Sequence, residues 1–228
     1  AWFAASASLP IGSGQISCYE FTNGSWNQLG NYINGEATFD YFGISSAINA
    51  SGNIIAGGAY HNDGINGYNS GHVRVYEYIA GVWTQLGNDI DGEAPDDRCG
   101  WSVSLNNSGY RVAVGSPQND GNGSNSGSAR VYDWNGTSWS QVGSDINGEA
   151  VGDHSGNSVS LNASGNILAV GAIYNQDNGS NSGHVRVYEY IGNSWVQMGG
   201  DIDGEAAIDE SARSVSYTHL TLPTKLAV

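Results

Sequence analysis

Short apolar segments alternate with polar turns through most of the chain, and their order is regular. In one unit, large apolar and small polar residues alternate over 101–105, a polar turn follows at 106–109, and residues 111–115 are again mainly apolar. The polar loop 117–126 precedes a third apolar segment, and a fourth segment carries a tryptophan. Segments of this length between Gly and Asn turns are typical of antiparallel β-hairpins. The pattern therefore predicts four short strands per unit.

This unit is repeated in tandem. Gly-His-Val-Arg-Val-Tyr-Glu-Tyr at 71–78 recurs unchanged at 183–190, as Gly-Ser-Ala-Arg-Val-Tyr-Asp-Trp at 127–134, and loosely at 14–21. A tryptophan follows each copy, at positions spaced by 56 or 57 residues: Trp26, Trp83, Trp139 and Trp195. An Ile-(Asn/Asp)-Gly-Glu-Ala block comes next each time, at 33–37, 90–94, 146–150 and 202–206. Four strands at this period form the blade of a β-propeller, so we predict an all-β propeller of four-stranded antiparallel blades.

The repeat also predicts how the chain is divided. Its boundaries give a partial blade, three blades and the start of another: 1–36, 37–93, 94–149, 150–205 and 206–214. Residues 2–6 align with the second strand of a unit, so we expect the chain to begin inside a blade. A closed ring needs roughly four to eight blades, and this chain has three whole blades and two partial ones, so we expect an incomplete arc of about four blades.

Residues 215–228 break the repeat. The unit predicts Ser-Val-Ser-Leu-Asn in this region, but the chain reads Val-Ser-Tyr-Thr-His-Leu-Thr-Leu-Pro-Thr from Val215. Written back as DNA, this segment resembles a transposase-type sequencing adapter read in frame. We therefore expect 215–228 to be non-native read-through and exclude it from the fold prediction. A divergent final strand is the alternative.

Two short motifs connect the repeat to a known family. Tyr41-Phe42-Gly43 and Val114-Gly115-Ser116-Pro117 resemble the Phe-Gly and Gly-Ala-Pro signatures of FG-GAP repeats, the blades of integrin α-subunit propellers. The resemblance covers residues 1–214 and implies an extracellular or cell-surface propeller. In integrin-type blades, an Asp-rich calcium loop joins the first two strands. Here those turns, 49–52, 106–109 and 162–165, contain no carboxylate, so that site is not carried over.

The charge of the chain limits its partners. The formal net charge is −15, and the single lysine, Lys225, lies near the C-terminus. Nucleic-acid binding normally requires a basic patch that neutralises phosphates, so this class is excluded. An anionic membrane surface is disfavoured for the same reason, and no apolar run is long enough for a membrane span. Cations, neutral sugars and basic protein surfaces remain.

Calcium is the one cofactor that the residues suggest. Each acidic connection between units alternates oxygen side chains around a glycine, which is typical of Ca²⁺ loops. The candidate ligands are Asp89, Asp91, Glu93, Asp97, Asp145, Asn147, Glu149, Asp153, Asp201, Asp203, Glu205 and Asp209. The alternative is an Asp-Gly or Asn-Gly turn whose final Asp holds the next blade by hydrogen bonds. The first copy has Tyr32 in place of the leading Asp and no copy has the full calcium spacing, which favours the turn.

The polar loops 60–70, 117–126 and 174–182 are the most variable part of the unit. A propeller places these loops and the connections between blades on one face, where binding residues commonly lie. The candidate binding residues are Tyr60, Asn62, Asp63, Tyr68, Asn119, Asp120, Asn122, Tyr174, Asn175 and Asp177. Solvated loops without a ligand are the alternative.

These observations favour a non-enzymatic module for adhesion or for protein or glycan binding. The sequence contains no nucleophile elbow, phosphate loop or zinc-binding helix motif, and His61, His72, His154 and His184 show no spacing for a metal site or a triad. Two alternatives remain: an enzyme with carboxylates in a central channel, and a structural spacer within a large surface protein.

The remaining conspicuous residues have structural interpretations. The repeated tryptophans are expected to pack blade against blade rather than to stack on sugars. Arg74, Arg130 and Arg186 are expected to form ion pairs with Glu77, Asp133 and Glu189. Cys18 and Cys99 occupy apolar positions of different blades, which predicts free core thiols.

Overall fold

The regular elements of the chain are β-strands in four antiparallel sheets. A computed structural model describes residues 2–8 and 12–216, and every regular element within these ranges is a strand. In chain order the strands are β1 (Trp2–Ser8), β2 (Gln15–Thr22), β3 (Ser25–Asn34), β4 (Ser45–Ile48), β5 (Ile54–Ala59), β6 (His72–Ile79), β7 (Val82–Gln85), β8 (Ile90–Asp91), β9 (Ser102–Leu105), β10 (Arg111–Ser116), β11 (Ser128–Trp134), β12 (Trp139–Gln141), β13 (Ile146–Asn147), β14 (Ser155–Leu161), β15 (Ile167–Ala172), β16 (His184–Ile191), β17 (Ser194–Gln197) and β18 (Ile202–Asp203).

The sheets follow one another along the chain. The first sheet contains β1–β3, the second β4–β8, the third β9–β13 and the fourth β14–β18. The prediction of an all-β fold built from antiparallel blades is confirmed. The described residues include no helix that could span a membrane. Residues 217–228, which make up most of the predicted read-through, lie outside the described residues.

The fourth strand of each complete blade is divided into two pieces. In the third sheet, β10 lies between β9 and β11, β12 pairs with the end of β11, and β13 pairs with its start. Between the pieces, the Val142 N–H donates to the Val131 carbonyl (2.8 Å), and Gly143 takes a positive φ of 75°. This β-bulge explains why four predicted strands become five, because the left-handed residue interrupts the hydrogen-bond ladder between the third and fourth strands.

The core lies between successive sheets. All six residues of β5 are buried, because its two faces contact different neighbours. Ile54 packs with Val112 and Val114 of the third sheet, whereas Ile55 packs with Phe42 on the opposite side. Side chains alternate between the faces of a strand, so continuous burial requires a partner on both sides. The sheets therefore stack face to face like propeller blades.

The two cysteines belong to this core, as predicted. Cys18 and Cys99 are both buried and free. Burial raises the pKa of the Cys18 thiol to about 12, and burial also raises the pKa of the Cys99 thiol. Both groups are therefore protonated at neutral pH and act as small apolar side chains.

The repeated tryptophans join each sheet to the preceding one. Their indole N–H groups donate to backbone carbonyls of the previous sheet: Trp83 to Leu29 (2.8 Å), Trp139 to Leu86 (2.8 Å) and Trp195 to Val142 (2.9 Å). The prediction of blade-to-blade packing is confirmed for these three. Trp26, in the first sheet, is half-exposed.

Replacing Trp139 with phenylalanine should lower the free energy of unfolding by about 1 kcal/mol, because the Leu86 carbonyl loses its donor while the ring position stays filled. Urea denaturation of both proteins measures the difference. Trp26→Phe is the matched control and should change stability by less than about 0.5 kcal/mol, as is usual for surface positions. Equal losses in the two variants would contradict the assigned role of the Trp139 N–H.

The predicted partners of the repeated arginines are wrong. Residues three apart on a strand point to opposite faces, so Arg74 does not reach Glu77. The guanidinium groups contact instead a glutamate that precedes each sheet: Arg74 with Glu36 (3.7 Å), Arg130 with Glu93 (3.2 Å) and Arg186 with Glu149 (3.5 Å). Asp133 pairs with Arg111, its cross-strand neighbour on β10. The three buried arginines therefore connect successive blades.

Candidate functional site

The loops and the connections between blades meet at one end of the sheets. We call the connections linkers, and the loop face consists of linkers 35–43, 92–100, 148–156 and 204–212 together with loops 60–70, 117–126 and 174–182. An asparagine of each loop donates to the first glycine carbonyl of the next linker: Asn66 to Gly92 (2.6 Å), Asn122 to Gly148 (2.9 Å) and Asn178 to Gly204 (2.7 Å). The predicted common face is confirmed.

The linkers share an unusual backbone. In the linker 92–100, Asp96 (φ 63°), Arg98 (φ 57°) and Gly100 (φ 83°) are left-handed, and the corresponding positions of the other three linkers are left-handed as well. The residues between them, Asp97 and Cys99, are buried. Because left-handed backbone is costly for any residue other than glycine, the surrounding contacts must hold this conformation in place.

A buried aspartate provides many of those contacts. Oδ2 of Asp97 accepts hydrogen bonds from the N–H groups of Glu93 (3.1 Å) and Ala94 (3.0 Å) and from the Asn119 side chain (3.1 Å). Asp40, Asp153 and Asp209 accept the equivalent N–H bond from Ala37, Ala150 and Ala206. The last aspartate of each predicted calcium sequence is thus engaged by its own linker.

The other calcium candidates are distributed among several partners. Asp89, Asp145 and Asp201 each accept a hydrogen bond from a glutamine four residues earlier, at 2.6 Å. Glu93 contacts Arg130, and Glu149 contacts Arg186. The middle candidates lie on the last short strand of each sheet: Asp91 on β8, Asn147 on β13 and Asp203 on β18. Glu205 is exposed. Among the described residues, each acidic group that converges within 4.8 Å combines a linker glutamate with the aspartate that precedes the last short strand of the following sheet, so neither group lies within one linker. Calcium binding by a single linker stays a prediction.

Many of the candidate loop residues support the fold of the face. Asn62, Asn119 and Asn175 are buried and donate to the linker aspartates Asp40, Asp97 and Asp153. Asp63 and Asp120 accept backbone N–H bonds from Asn69 and Asn125 within their own loops.

The remaining candidates are aromatic or exposed. Tyr60 contacts the ring of His61 and Tyr174 that of His154, with centroids 4.2 and 4.9 Å apart. Tyr68 and Asp177 are exposed to solvent. Ligand binding by these loops stays a prediction.

A cavity of about 910 Å³ opens on the loop face of the second sheet. Its acidic lining residues are Glu36, Asp40, Asp63, Asp89 and Asp91. Three large side chains that also line it are exposed: Phe39 (56%), Ile65 (87%) and Tyr68 (65%). Sequence reasoning missed Phe39 and Ile65. A signal for Ile65 exists, since aligning Asn62 with Asn119 and Asn66 with Asn122 makes this loop one residue longer.

The structure brings two of the histidines next to carboxylates, an arrangement that their sequence spacing does not indicate. His72 and His184 begin β6 and β16, are buried, and face carboxylates. Glu36, His72 and Asp89 form one group within 4.8 Å, and Glu149, Asp177, His184 and Asp201 form another. Spacing rules miss such groups because their members are far apart in the sequence.

Two segments of the chain match a known protein family. The family model described as FG-GAP repeat matches residues 90–132 and 147–188. Two of the repeated units therefore resemble FG-GAP repeats. Each matched FG-GAP segment begins near the last short strand of one sheet and continues to the third strand of the next, so it contains a linker and a loop of the face. No curated protein matches the chain significantly.

Solved structures resemble the chain in fold. A protein described as a 6-phosphogluconolactonase from Bacteroides uniformis has a TM-score of 0.52 and 13% identity, covering 83% of this chain and 48% of that one. Kuenenia stuttgartiensis hydrazine synthase has a TM-score of 0.50 and 10% identity, covering 83% of this chain and 43% of that one. The chain therefore spans about half the length of these structures. At such identities, the likeness concerns the fold alone.

Proposed function

We propose that this FG-GAP propeller is a non-enzymatic binding module of an extracellular or cell-surface protein, and that its loop face binds a protein partner. The family supports the location, since FG-GAP repeats are typical of such proteins. The observation that carries the binding proposal is the acidic cavity of the second sheet with Phe39, Ile65 and Tyr68 exposed around it. Exposed apolar side chains next to charged residues are typical of recognition surfaces.

The backbone of Phe39 strengthens this proposal. A bulky residue at φ 74° is strained, yet Phe39 is exposed and its ring fills no core. The corresponding residue of the third linker is Gly152, which adopts φ 81° without a side chain to strain. Strained residues that stability does not explain are concentrated at binding sites. Phe39 is therefore a candidate contact residue.

The negative charge of the cavity indicates the chemistry of the partner. Five carboxylates line it, and the whole chain carries a net charge of −15. A complementary ligand presents Lys or Arg next to an aromatic or aliphatic side chain. Such binding weakens as salt screens the charges, with a Debye length of about 8 Å at physiological ionic strength.

Replacing Phe39 with glycine should weaken such a ligand at least about tenfold, a loss typical of a contact residue. Stability should not fall, because relief of the left-handed strain, about 1 kcal/mol, offsets the greater chain entropy of glycine. The measurement is a screen of the whole chain against a random peptide library and a glycan array, followed by titration of the selected peptides into wild type and variant.

Ile208→Gly is the matched control, because Ile208 occupies the corresponding position of the last linker, is exposed and has φ 69°. It should leave peptide affinity unchanged. A second variant replaces 62–68 by the sequence of 119–124, which removes Ile65 and Tyr68 within the same hydrogen-bond framework, and it should also lose binding. Equal affinity in all variants, or selection of glycans without peptides, would overturn the proposal.

A further inference from the structure

Four side chains converge on the loop face of the fourth sheet. His184 is the first residue of β16, Glu149 belongs to the linker before this sheet, Asp177 lies in its loop, and Asp201 directly precedes β18. From Nδ1 of His184, the distances are 3.4 Å to Oδ2 of Asp201, 3.9 Å to Oε2 of Glu149 and 4.0 Å to Oδ2 of Asp177. The four potential ligand atoms all lie within 4.8 Å of one another.

The imidazole of His184 is buried and, among the described residues, has no hydrogen-bond partner. Its side chain is 0% exposed, and no described residue makes a hydrogen bond with Nδ1 or Nε2. An unsatisfied buried polar group is costly, so an unpaired nitrogen that faces carboxylates indicates a missing ligand. His72 differs at this point: its Nδ1 lies 3.2 Å from Asp89 and is satisfied, and its Nε2 alone is unpaired.

The charges of the group also favour a cation. Three carboxylates surround His184, and among the described residues a single guanidinium, that of Arg186, contacts them, through Glu149. Two negative charges therefore remain, and a divalent ion neutralises them.

We propose that Glu149, Asp177, His184 and Asp201 bind a divalent transition-metal ion, with Zn²⁺ as the representative. Ligands about 2.1 Å from a tetrahedral zinc lie roughly 3.4 Å apart, so small side-chain adjustments bring the four atoms into range. One imidazole with three carboxylates suits Zn²⁺ or Mn²⁺, whereas Ca²⁺ takes oxygen ligands. Glu149 and Asp177 are 42% and 59% exposed, which leaves the ion a path from solvent.

The repeat supplies its own reference sites. In the second sheet, Glu36, His72 and Asp89 are present, but Gly64 occupies the position of Asp177. In the third sheet, Ser128 replaces the histidine and Gly121 the aspartate. These residues are accommodated by the same strands and loops. His184→Ser and Asp177→Gly are therefore substitutions that the blade already tolerates elsewhere in the chain.

The test is calorimetric titration of the whole, chelator-treated chain with Zn²⁺. We expect the wild type to bind one ion at low micromolar concentration or tighter. His184→Ser should abolish this binding step of the titration. Asp177→Gly should weaken the binding at least about tenfold, since even residues outside the ligand shell contribute that much at metal sites. His72→Ser is the matched control and should leave the step unchanged. Circular dichroism establishes that each variant is folded.

Several results would overturn the proposal. Binding that persists in both His184→Ser and Asp177→Gly would place the ion elsewhere on this acidic surface. Loss of the step in His72→Ser would assign it to the second sheet. Absence of binding at submillimolar Zn²⁺, or equally tight binding of Ca²⁺ at the same step, would exclude a site of this chemistry. Running the peptide screen on chelator-treated protein makes its outcome independent of metal binding, so the two proposals fail independently.

Discussion

Substituting alanine for Gly115 is expected to destabilise the chain by about 3 kcal/mol, near the upper end for overpacking of a core. Gly115 lies on β10, and a methyl group added there would overlap the Gly156 carbonyl and the Ser102 hydroxyl. That hydroxyl donates to the same carbonyl (2.8 Å) and joins the third sheet to the next linker. Since the obstructing atoms are largely backbone, rotation of a side chain does not relieve the overlap.

Gly200→Ala is the control for this substitution. Gly200 has no heavy atom within 4 Å of an added methyl group, and it is absent from the glycines with positive φ. Alanine there should be neutral or stabilising by up to about 1 kcal/mol, because it reduces the entropy of the unfolded chain. Urea midpoints of the two variants measure the contrast. If Gly115→Ala unfolds at the wild-type midpoint, the close approach of the two sheets is not rigid.

Replacement of Asp97 by alanine should also cost about 3 kcal/mol. The substitution leaves the N–H groups of Glu93 and Ala94 and the Asn119 amide without their acceptor, and hydrogen bonds to a charged group contribute about 1.5–3 kcal/mol each. Because Asp97 is buried, water does not fully compensate. Asp97→Asn keeps one acceptor oxygen and should lose less. Thermal and urea unfolding measure the series.

The matched control is Asp209→Ala. Asp209 accepts one backbone bond, from Ala206, and is exposed, so its loss should be about 1 kcal/mol. Repeating the series in millimolar Ca²⁺ and in chelator tests the single-linker calcium prediction as well. A wild type stabilised by Ca²⁺, with no such effect in Asp97→Ala, would assign Asp97 to a calcium site. Identical losses in Asp97→Ala and Asp209→Ala would contradict its central role in the linker.

The periodic sequence was sufficient to predict the strands. The segment 111–115 became β10, Arg111–Ser116, because its apolar residues alternate between two buried faces. The tryptophans were likewise predictable, since a residue at the same position in every unit meets the same neighbour each time. The division of the fourth strand was not, because it depends on a left-handed residue such as Gly143, and glycine alone does not specify its φ.

The candidate sites depend on contacts between units, which the repeat does not specify. Arg130 meets Glu93 of the preceding linker rather than Asp133; strand alternation excludes Asp133, but the local sequence does not identify Glu93 as the partner. His184 is one strand residue among many until the stacking of sheets brings Glu149 and Asp201 to it. Comparing equivalent positions would have found part of this: Asp177 and Ile65 both depart from the other copies of the loop.

The interface between successive sheets has a direction. Trp139 and Arg130 of the third sheet donate to Leu86 and Asp91 carbonyls of the second, and Trp195 repeats the first contact onto the third. In symmetry terms the contact is heterologous, because each blade has a donating face and a different accepting face. Two identical blades related by a twofold axis would place donors against donors. The donors and acceptors of such units are all paired only if the units close a ring or if further units are added. The angle between neighbouring blades determines which of the two arrangements forms.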